Sequence, residues 1–114
     1  MTETELQNQI MDALTRIGVW VIRSAVSVKR GRYSINTGEP GQPDLCLPVY
    51  GWGEVKLPGN DLDPDQVKWH ERAKKEGVRV ATWWSVADAV ASVQQWRRER
   101  DQLLEYAWRY QELR

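Results

Sequence analysis

One segment of the chain carries the markers of a helix at both ends, and strand-like sequence stands on either side of it. Asp63 is suited to cap a helix, Pro64 suits the first helical position, and Gly77 suits the end. The runs PDLCLPV and GEVKL precede this helix, and VRVATWW follows it. Because such short apolar and β-branched runs are typical of strands, the segment predicts two strands, a helix and a further strand.

Helical spacing of apolar residues predicts two more helices around this centre. The first covers residues 3 to 17 and ends at Gly18; the last begins after Ser85, a suitable N-cap, and continues into the charged carboxyl-terminal segment. Between the first helix and the loop TGEPGQP, the runs VWVIRS and SVKRGRYSI predict strands in a meander or hairpin with a turn at Gly31. This order predicts a mixed α/β domain with a central sheet flanked by helices.

The length of 114 residues fits one domain. We expect that domain to cover residues 1–114, with a core over about residues 3–96 and a helical extension over 97–114. The longest apolar run is far shorter than the roughly 20 residues that span a bilayer, and the acidic, polar start MTETELQNQI is unlike a signal peptide. We therefore expect no membrane partner and a cytoplasmic location.

Charge is distributed unevenly along the chain although its formal net value is zero. No acidic residue occurs from Ala13 to Gly38, whereas five cations do: Arg16, Arg23, Lys29, Arg30 and Arg32. Two interpretations stay open for this segment, a solvated basic hairpin and a surface that contacts nucleic-acid phosphates.

Asp44, Glu54 and Lys56 stand at the ends of the two strands that precede the central helix. Residues two apart on a strand share a face, so Glu54 and Lys56 project together while Val55 points into the core. If the strands pair as a hairpin, Asp44 reaches the same end of the sheet as Glu54. The alternative is that Asp44 ends a loop, and that Glu54 and Lys56 form an exposed pair of charged side chains on the strand, which contributes little to stability.

The chain has one cysteine and one histidine, so it cannot build a tetrahedral zinc site from soft ligands. Two converging carboxylates are instead hard oxygen ligands suited to Mg²⁺ or Mn²⁺. A divalent ion that polarises a phosphoryl oxygen, with a cation beside the developing charge, is what phosphodiester hydrolysis needs.

A longer pattern runs through these residues: G-x-P-D-L at 41–45, G-E-V-K at 53–56 and P-G-x-x-L-x-P-x-Q at 58–66. It resembles the VRR-NUC branch of the PD-(D/E)XK nucleases over about residues 3 to 90. The resemblance implies a restriction-endonuclease-like fold. It also implies metal ligation by Asp44, Glu54 and the backbone carbonyl of Val55, with Lys56 orienting or activating water and with Gln66 and Glu5 supporting the site.

The resemblance further implies a Mg²⁺-dependent DNA endonuclease, for which Mn²⁺ would substitute. Small stand-alone members of this branch resemble phage-encoded enzymes that resolve Holliday junctions, so a bacterial or phage-infected cell is the expected setting. Two symmetric cuts would favour a C2 homodimer. The stripe Trp96, Leu103, Leu104 and Trp108 would then supply the interface or pack on the first helix.

DNA would lie across Arg23, Lys29, Arg30 and Arg32. The alternatives are a flap or nick repair nuclease, a restriction-type nuclease, and a non-catalytic binding module of nuclease fold.

Overall fold

The computed structural model of the protein describes residues 1–24, 28–30, 33–35 and 38–112, with the backbone alone at 28–30, 33–35 and 112. Three helices and six strands occur in these ranges. The helices are α1 (Glu3–Arg16), α2 (Pro64–Lys75) and α3 (Val86–Glu112), and the strands are β1 (Ile22–Arg23), β2 (Val28–Arg30), β3 (Tyr33–Ile35), β4 (Leu45–Leu47), β5 (Gly51–Val55) and β6 (Val80–Trp83).

The strands form a mixed four-stranded sheet and a separate pair. The sheet has the order β1-β4-β5-β6, in which β1 and β5 run antiparallel to β4, and β6 runs parallel to β5 through the α2 connection. The register pairs Leu45 with Gly53, which places Asp44, just before β4, level with Glu54. The pair joins β2 to β3 antiparallel, and Lys29 stands opposite Ser34. The predicted mixed α/β architecture is confirmed.

The main core lies between one face of the sheet and helices α1 and α3. Its fully buried residues include Ile10 and Leu14 of α1, Leu45 and Val55 of the sheet, and Val93 of α3. These residues are aliphatic and recur at helical or strand spacing, so each element buries one continuous stripe. Val55 points into this core as predicted, and the neighbouring residue Glu54 therefore faces the other side of the sheet.

Gly53 is required by the packing of this core. A Cβ atom at Gly53 would collide with the ring of Trp83, which is completely buried on the adjacent strand and donates its indole N–H to Ser92 Oγ at 2.9 Å. The ring of Trp96 packs against it with the centroids 6.1 Å apart. The glycine of the G-E-V-K run thus makes room for a large aromatic side chain from β6.

Helix α3 continues well beyond the body of the domain. Its first half is buried through Ala89, Val93 and Trp96, and Arg97 joins it to Tyr50 and to the carbonyl of Ile17. Every side chain from 101 to 111 is exposed. Trp96 therefore belongs to the core, whereas Leu103, Leu104 and Trp108 of the predicted stripe are 63%, 54% and 65% exposed. None of the helices in the described ranges has the length and apolar character needed to cross a membrane.

Candidate active site

Three carboxylates from distant parts of the sequence meet at one end of the sheet. Glu3 comes from the first turn of α1, Asp44 from the residue before β4, and Glu54 from β5. One oxygen of each lies within 4.8 Å of the others. The acids that the sequence places on neighbouring strands, Asp44 and Glu54, are thus brought together, and a third acid joins them.

Asp44 is held in place through its backbone and its side chain. Its carbonyl accepts the N–H of Ser24 at 2.8 Å, and its Oδ2 atom accepts the N–H of Val55 at 2.9 Å. The second bond ties the carboxylate to the strand that carries Glu54. A Cβ atom on Gly41, whose φ is +79°, would collide with the Asp65 carbonyl of α2, so only glycine lets the preceding loop approach the helix so closely.

Glu54 is almost completely buried, with 1% of its surface exposed. Its Oε1 accepts a hydrogen bond from Gln66 Nε2 at 3.0 Å, whereas its Oε2 has no partner among the described residues. Burial raises the pKa of Glu54 to about 9, and the adjacent Asp44 charge, a hydrogen bond to Asp44 that protonated Glu54 can donate, and Glu3 act in the same direction. Burial therefore favours a proton on Glu54, whereas a cation bound beside it would favour the carboxylate.

Gln66 serves both α2 and the acidic site. Its backbone N–H donates to Asp63 Oδ1 at 2.9 Å, and its Oε1 accepts the N–H of Asp63 at 2.9 Å, which completes a capping box. Because the cap fixes the amide oxygen, the amide N–H₂ group points to Glu54. The structure thus joins Gln66 to Glu54, and the supporting role of Gln66 in the site stays a prediction.

Lys56 lies just past the end of β5, two residues from Glu54. Its backbone N–H donates to the carbonyl of Trp83 at 3.0 Å, which continues the pairing with β6, and its side chain is half-buried. Its charge opposes the rise in the pKa of Glu54. The lysine therefore stands near enough to stabilise negative charge at the acidic site. Val55 is completely buried, and metal ligation by its carbonyl remains a prediction.

The helical carboxylate in the cluster belongs to Glu3, whereas the VRR-NUC resemblance implies that Glu5 supports the site. Glu5 is the N3 residue of a capping box: its Oε2 accepts the N–H of Thr2 at 3.0 Å, and its own N–H donates to Thr2 Oγ1 at 3.1 Å. Glu5 is therefore engaged at the helix end. The pattern T-x-x-E at residues 2–5 is the sequence signal that distinguishes the two acids.

The four predicted DNA-binding cations are placed unequally. Arg23 on β1 donates to Gln7 Oε1 at 2.6 Å and to Asn8 Oδ1, so its guanidinium joins the sheet edge to α1. Lys29 and Arg30 lie on β2, but their side chains are outside the described residues, as is all of Arg32. DNA contact by this group stays a prediction.

The chemistry of the acidic cluster fits a hard divalent cation. All three side chains offer oxygen, two come from firmly placed strand ends, and the buried Oε2 atom of Glu54 lacks a donor among the described residues. Three carboxylates so close together repel one another unless a proton or a cation intervenes. An oxygen ligand set of this kind suits Mg²⁺ or Mn²⁺.

Comparison with known proteins gives one informative similarity. Neither the protein-family models nor the curated proteins yield a match to the chain. A solved structure titled "VRR_NUC domain" superposes with a TM-score of 0.62 at 26% sequence identity, over 81% of this chain and 94% of the other. The match covers nearly the whole of that domain. Of the residues that the VRR-NUC resemblance implies, Asp44, Glu54 and Gln66 lie together in space, whereas Glu5 caps α1. The chain therefore has the restriction-endonuclease-like α/β architecture, and it is similar in fold and sequence to a VRR-NUC domain.

Proposed function

We propose that the protein is a Mg²⁺-dependent DNA endonuclease that hydrolyses phosphodiesters at branched DNA, with four-way junctions as the preferred substrate. The observation that carries this proposal is the convergence of Glu3, Asp44 and Glu54 within 4.8 Å beside Lys56, in a domain similar to a VRR-NUC structure. Mn²⁺ is expected to substitute for Mg²⁺, because both ions prefer oxygen ligands.

Asp44, Glu54 and Glu3 would hold the cation through their side chains. When bound, a divalent cation polarises the scissile phosphodiester and lowers the pKa of the attacking water. Gln66 keeps the Glu54 carboxylate oriented through the 3.0 Å hydrogen bond, and the N–H of Val55 does the same for Asp44. These contacts fix both acids before substrate arrives, so little reorganisation accompanies the reaction.

Lys56 would act on the substrate and not on the cation. A protonated amine has no lone pair for a metal, but it stabilises the negative charge that develops on the phosphoryl oxygens and orients the attacking water by hydrogen bonding. The lysine follows Glu54 by two residues along the chain, which places both on the same side of the sheet. Loss of its charge should affect chemistry more than binding.

Junction resolution adds a requirement for two matched cuts, which a C2 homodimer supplies. The exposed half of α3 carries Leu103, Leu104 and Trp108 on an isolated helix, and such a helix gains most of its stability from packing. This surface supports the homodimer part of the proposal. Sedimentation of the wild type and of a Leu104→Glu variant tests it: we expect a dimer that the variant dissociates, and a monomeric wild type would contradict it.

The substrate class is tested by a cleavage panel. Four-way junction, flap, nicked and linear duplex DNA of matched sequence are incubated with the protein in Mg²⁺, in Mn²⁺ and in EDTA. The proposal predicts cleavage of the junction well above that of linear duplex, and none in EDTA. Preferential cutting of flap or nicked DNA would assign a repair-type activity, and junction binding without cleavage would assign a non-catalytic module.

A further inference from the structure

An open pocket of about 230 Å³ lies on the side of the sheet that carries Glu54. Trp52 of β5 and Trp69 of α2 form two of its walls, and Ala73 and Val78 add apolar surface. Trp52 precedes Glu54 by two residues on the strand, so the two side chains share one face of the sheet, roughly 6–7 Å apart along the strand. Trp69 follows Gln66 by three residues on α2, so the two side chains lie on the same face of the helix. The pocket therefore lies on the same face of the sheet as the acidic site, towards the start of β5 and the end of α2.

The two indole rings are fixed relative to each other. Their centroids are 5.3 Å apart at an interplanar angle of 64°, an edge-to-face contact that leaves part of each ring face uncovered. Trp69 Nε1 donates to Glu39 Oε2 at 3.2 Å, which holds the Trp69 ring in position. Both tryptophans are only half-buried. The pocket therefore offers a pre-organised aromatic surface that solvent reaches.

The charged residues around the pocket fit a neutral planar group and do not fit a phosphate. Glu39 and Glu76 both line it, and their two carboxylates repel an anion. A carboxylate at the rim accepts hydrogen bonds from ring and exocyclic N–H groups, which nucleobases carry on their Watson–Crick edges. The guanidinium of Arg72 also lines the pocket; its side chain is 78% exposed, and its 3.8 Å contact with Glu76 is weak. It can stack on a base.

We propose that this pocket binds one unpaired nucleobase of the DNA substrate, stacked against Trp69 on the sheet face that carries the acidic site. The inference rests on the proposed nuclease function for the identity of the polymer. A base inside a continuous duplex is already stacked on its neighbours, so only an unpaired or displaced nucleotide can enter. The pocket would thus select DNA whose strand is opened at a branch point.

The test is an abasic scan of DNA binding. A four-way junction and a flapped duplex are prepared with a single abasic nucleotide moved stepwise through the branch point. Affinity is measured by fluorescence anisotropy with Ca²⁺ in place of Mg²⁺, so that no cleavage is required. We expect the wild type to lose about 5- to 150-fold in affinity at one position of the scan, which is the range for loss of one base–aromatic stack.

Variants connect that position to the pocket. Trp69→Leu should bind intact DNA about as weakly as the wild type binds the critical abasic DNA, and should be insensitive to the abasic nucleotide. Arg72→Ala, which changes a mostly exposed side chain, should show a smaller loss in the same direction. Trp20→Leu is the matched control, because Trp20 is 62% exposed and lies outside the pocket; it should keep the wild-type abasic profile.

The outcomes separate this inference from the nuclease assignment. Cleavage in Mg²⁺ with a flat abasic profile would overturn the base pocket and leave the nuclease intact. An abasic-sensitive position that Trp69→Leu and Arg72→Ala both retain would also overturn it. A position that disappears in these two variants, in a protein that does not cut DNA, would support the pocket and contradict the catalytic proposal.

Discussion

The side-chain amide of Gln66 donates to Oε1 of the buried Glu54 at 3.0 Å while its oxygen caps the helix that carries it. This bond is the direct link between α2 and the acidic end of the sheet. Since the helix start is fixed by Asp63, the orientation of a buried carboxylate depends on a capping residue one turn into a neighbouring helix.

Replacing Gln66 by alanine should weaken cation binding more than it weakens the fold. Loss of a partner that orients a metal ligand typically costs 10- to 100-fold in metal affinity or activity, and we expect a loss of that size in the Mg²⁺ dependence of cleavage. The control is Asp63→Ala, which removes the other half of the capping box, the bond from the Gln66 N–H to Asp63 Oδ1, and leaves the bond from Gln66 to Glu54 in place. Both variants should lose about 1 kcal/mol of stability. Equal rates of cleavage by Gln66→Ala and Asp63→Ala would contradict the role of Gln66 in orienting Glu54.

Glu3 and Glu5 form a natural matched pair for testing the third carboxylate. Glu3→Gln removes a charge from the acidic cluster and should reduce Mg²⁺-dependent cleavage by roughly tenfold or more. Glu5→Gln keeps an acceptor in the capping box and should cut DNA at nearly the wild-type rate. Titration of cleavage rate against Mg²⁺ measures both, and the opposite ranking would favour Glu5 over Glu3 as the helical carboxylate that acts at the site.

His70 should make the folded protein less stable in mild acid. Its side chain is 6% exposed, and burial together with the nearby Lys74 lowers its pKa from 6.5. The unfolded chain therefore takes up a proton near pH 6.5 that the folded protein rejects, so the free energy of unfolding decreases as the pH falls through that value towards the folded pKa.

The chain has one histidine, so substitution isolates this effect. Urea unfolding of the wild type and of His70→Leu should be measured at pH 7.5 and 5.5. The wild type should lose more stability than the variant over this interval. The same loss in both proteins would show that His70 is not the group responsible.

Arg30 tests the predicted contact between the β2–β3 pair and DNA. The prediction rests on the acid-free sequence around this strand. Arg30→Ala should weaken binding on every substrate and reduce the slope of log affinity against log salt by about one. Arg109→Ala is the control, because Arg109 pairs with Glu105 at 2.6 Å on the exposed half of α3. An unchanged slope in Arg30→Ala would place the DNA elsewhere.

Local rules in the sequence predicted much of the sheet and of the acidic site. The alternation in G-E-V-K correctly places Val55 in the core and Glu54 on the opposite face of the sheet. The hairpin register brings Asp44 level with Glu54. The Asp63–Pro64 start and the Gly77 end identify α2, and Ser85 Oγ accepts the N–H of Asp88 at the start of α3, as an N-cap does. These features depend on residues that are close in sequence.

The features that sequence did not predict depend on contacts between distant elements. Glu3 reaches the cluster because α1 packs across the sheet with its amino-terminal end beside Asp44, which no local spacing encodes. The pocket between Trp52 and Trp69 likewise depends on how α2 lies over β5. Tryptophans at regular spacing indicate packing, and only the assembled structure shows that these two remain half-exposed.

The most direct test of the metal-dependent nuclease assignment is cleavage of a labelled four-way junction in Mg²⁺ by the wild type, Asp44→Ala and Lys56→Ala, with junction binding measured in Ca²⁺ alongside. In the proposed mechanism Asp44 would hold the cation and Lys56 would stabilise the developing charge, so we predict that both variants bind the junction but no longer cut it. Cutting by both variants at the wild-type rate would contradict the account.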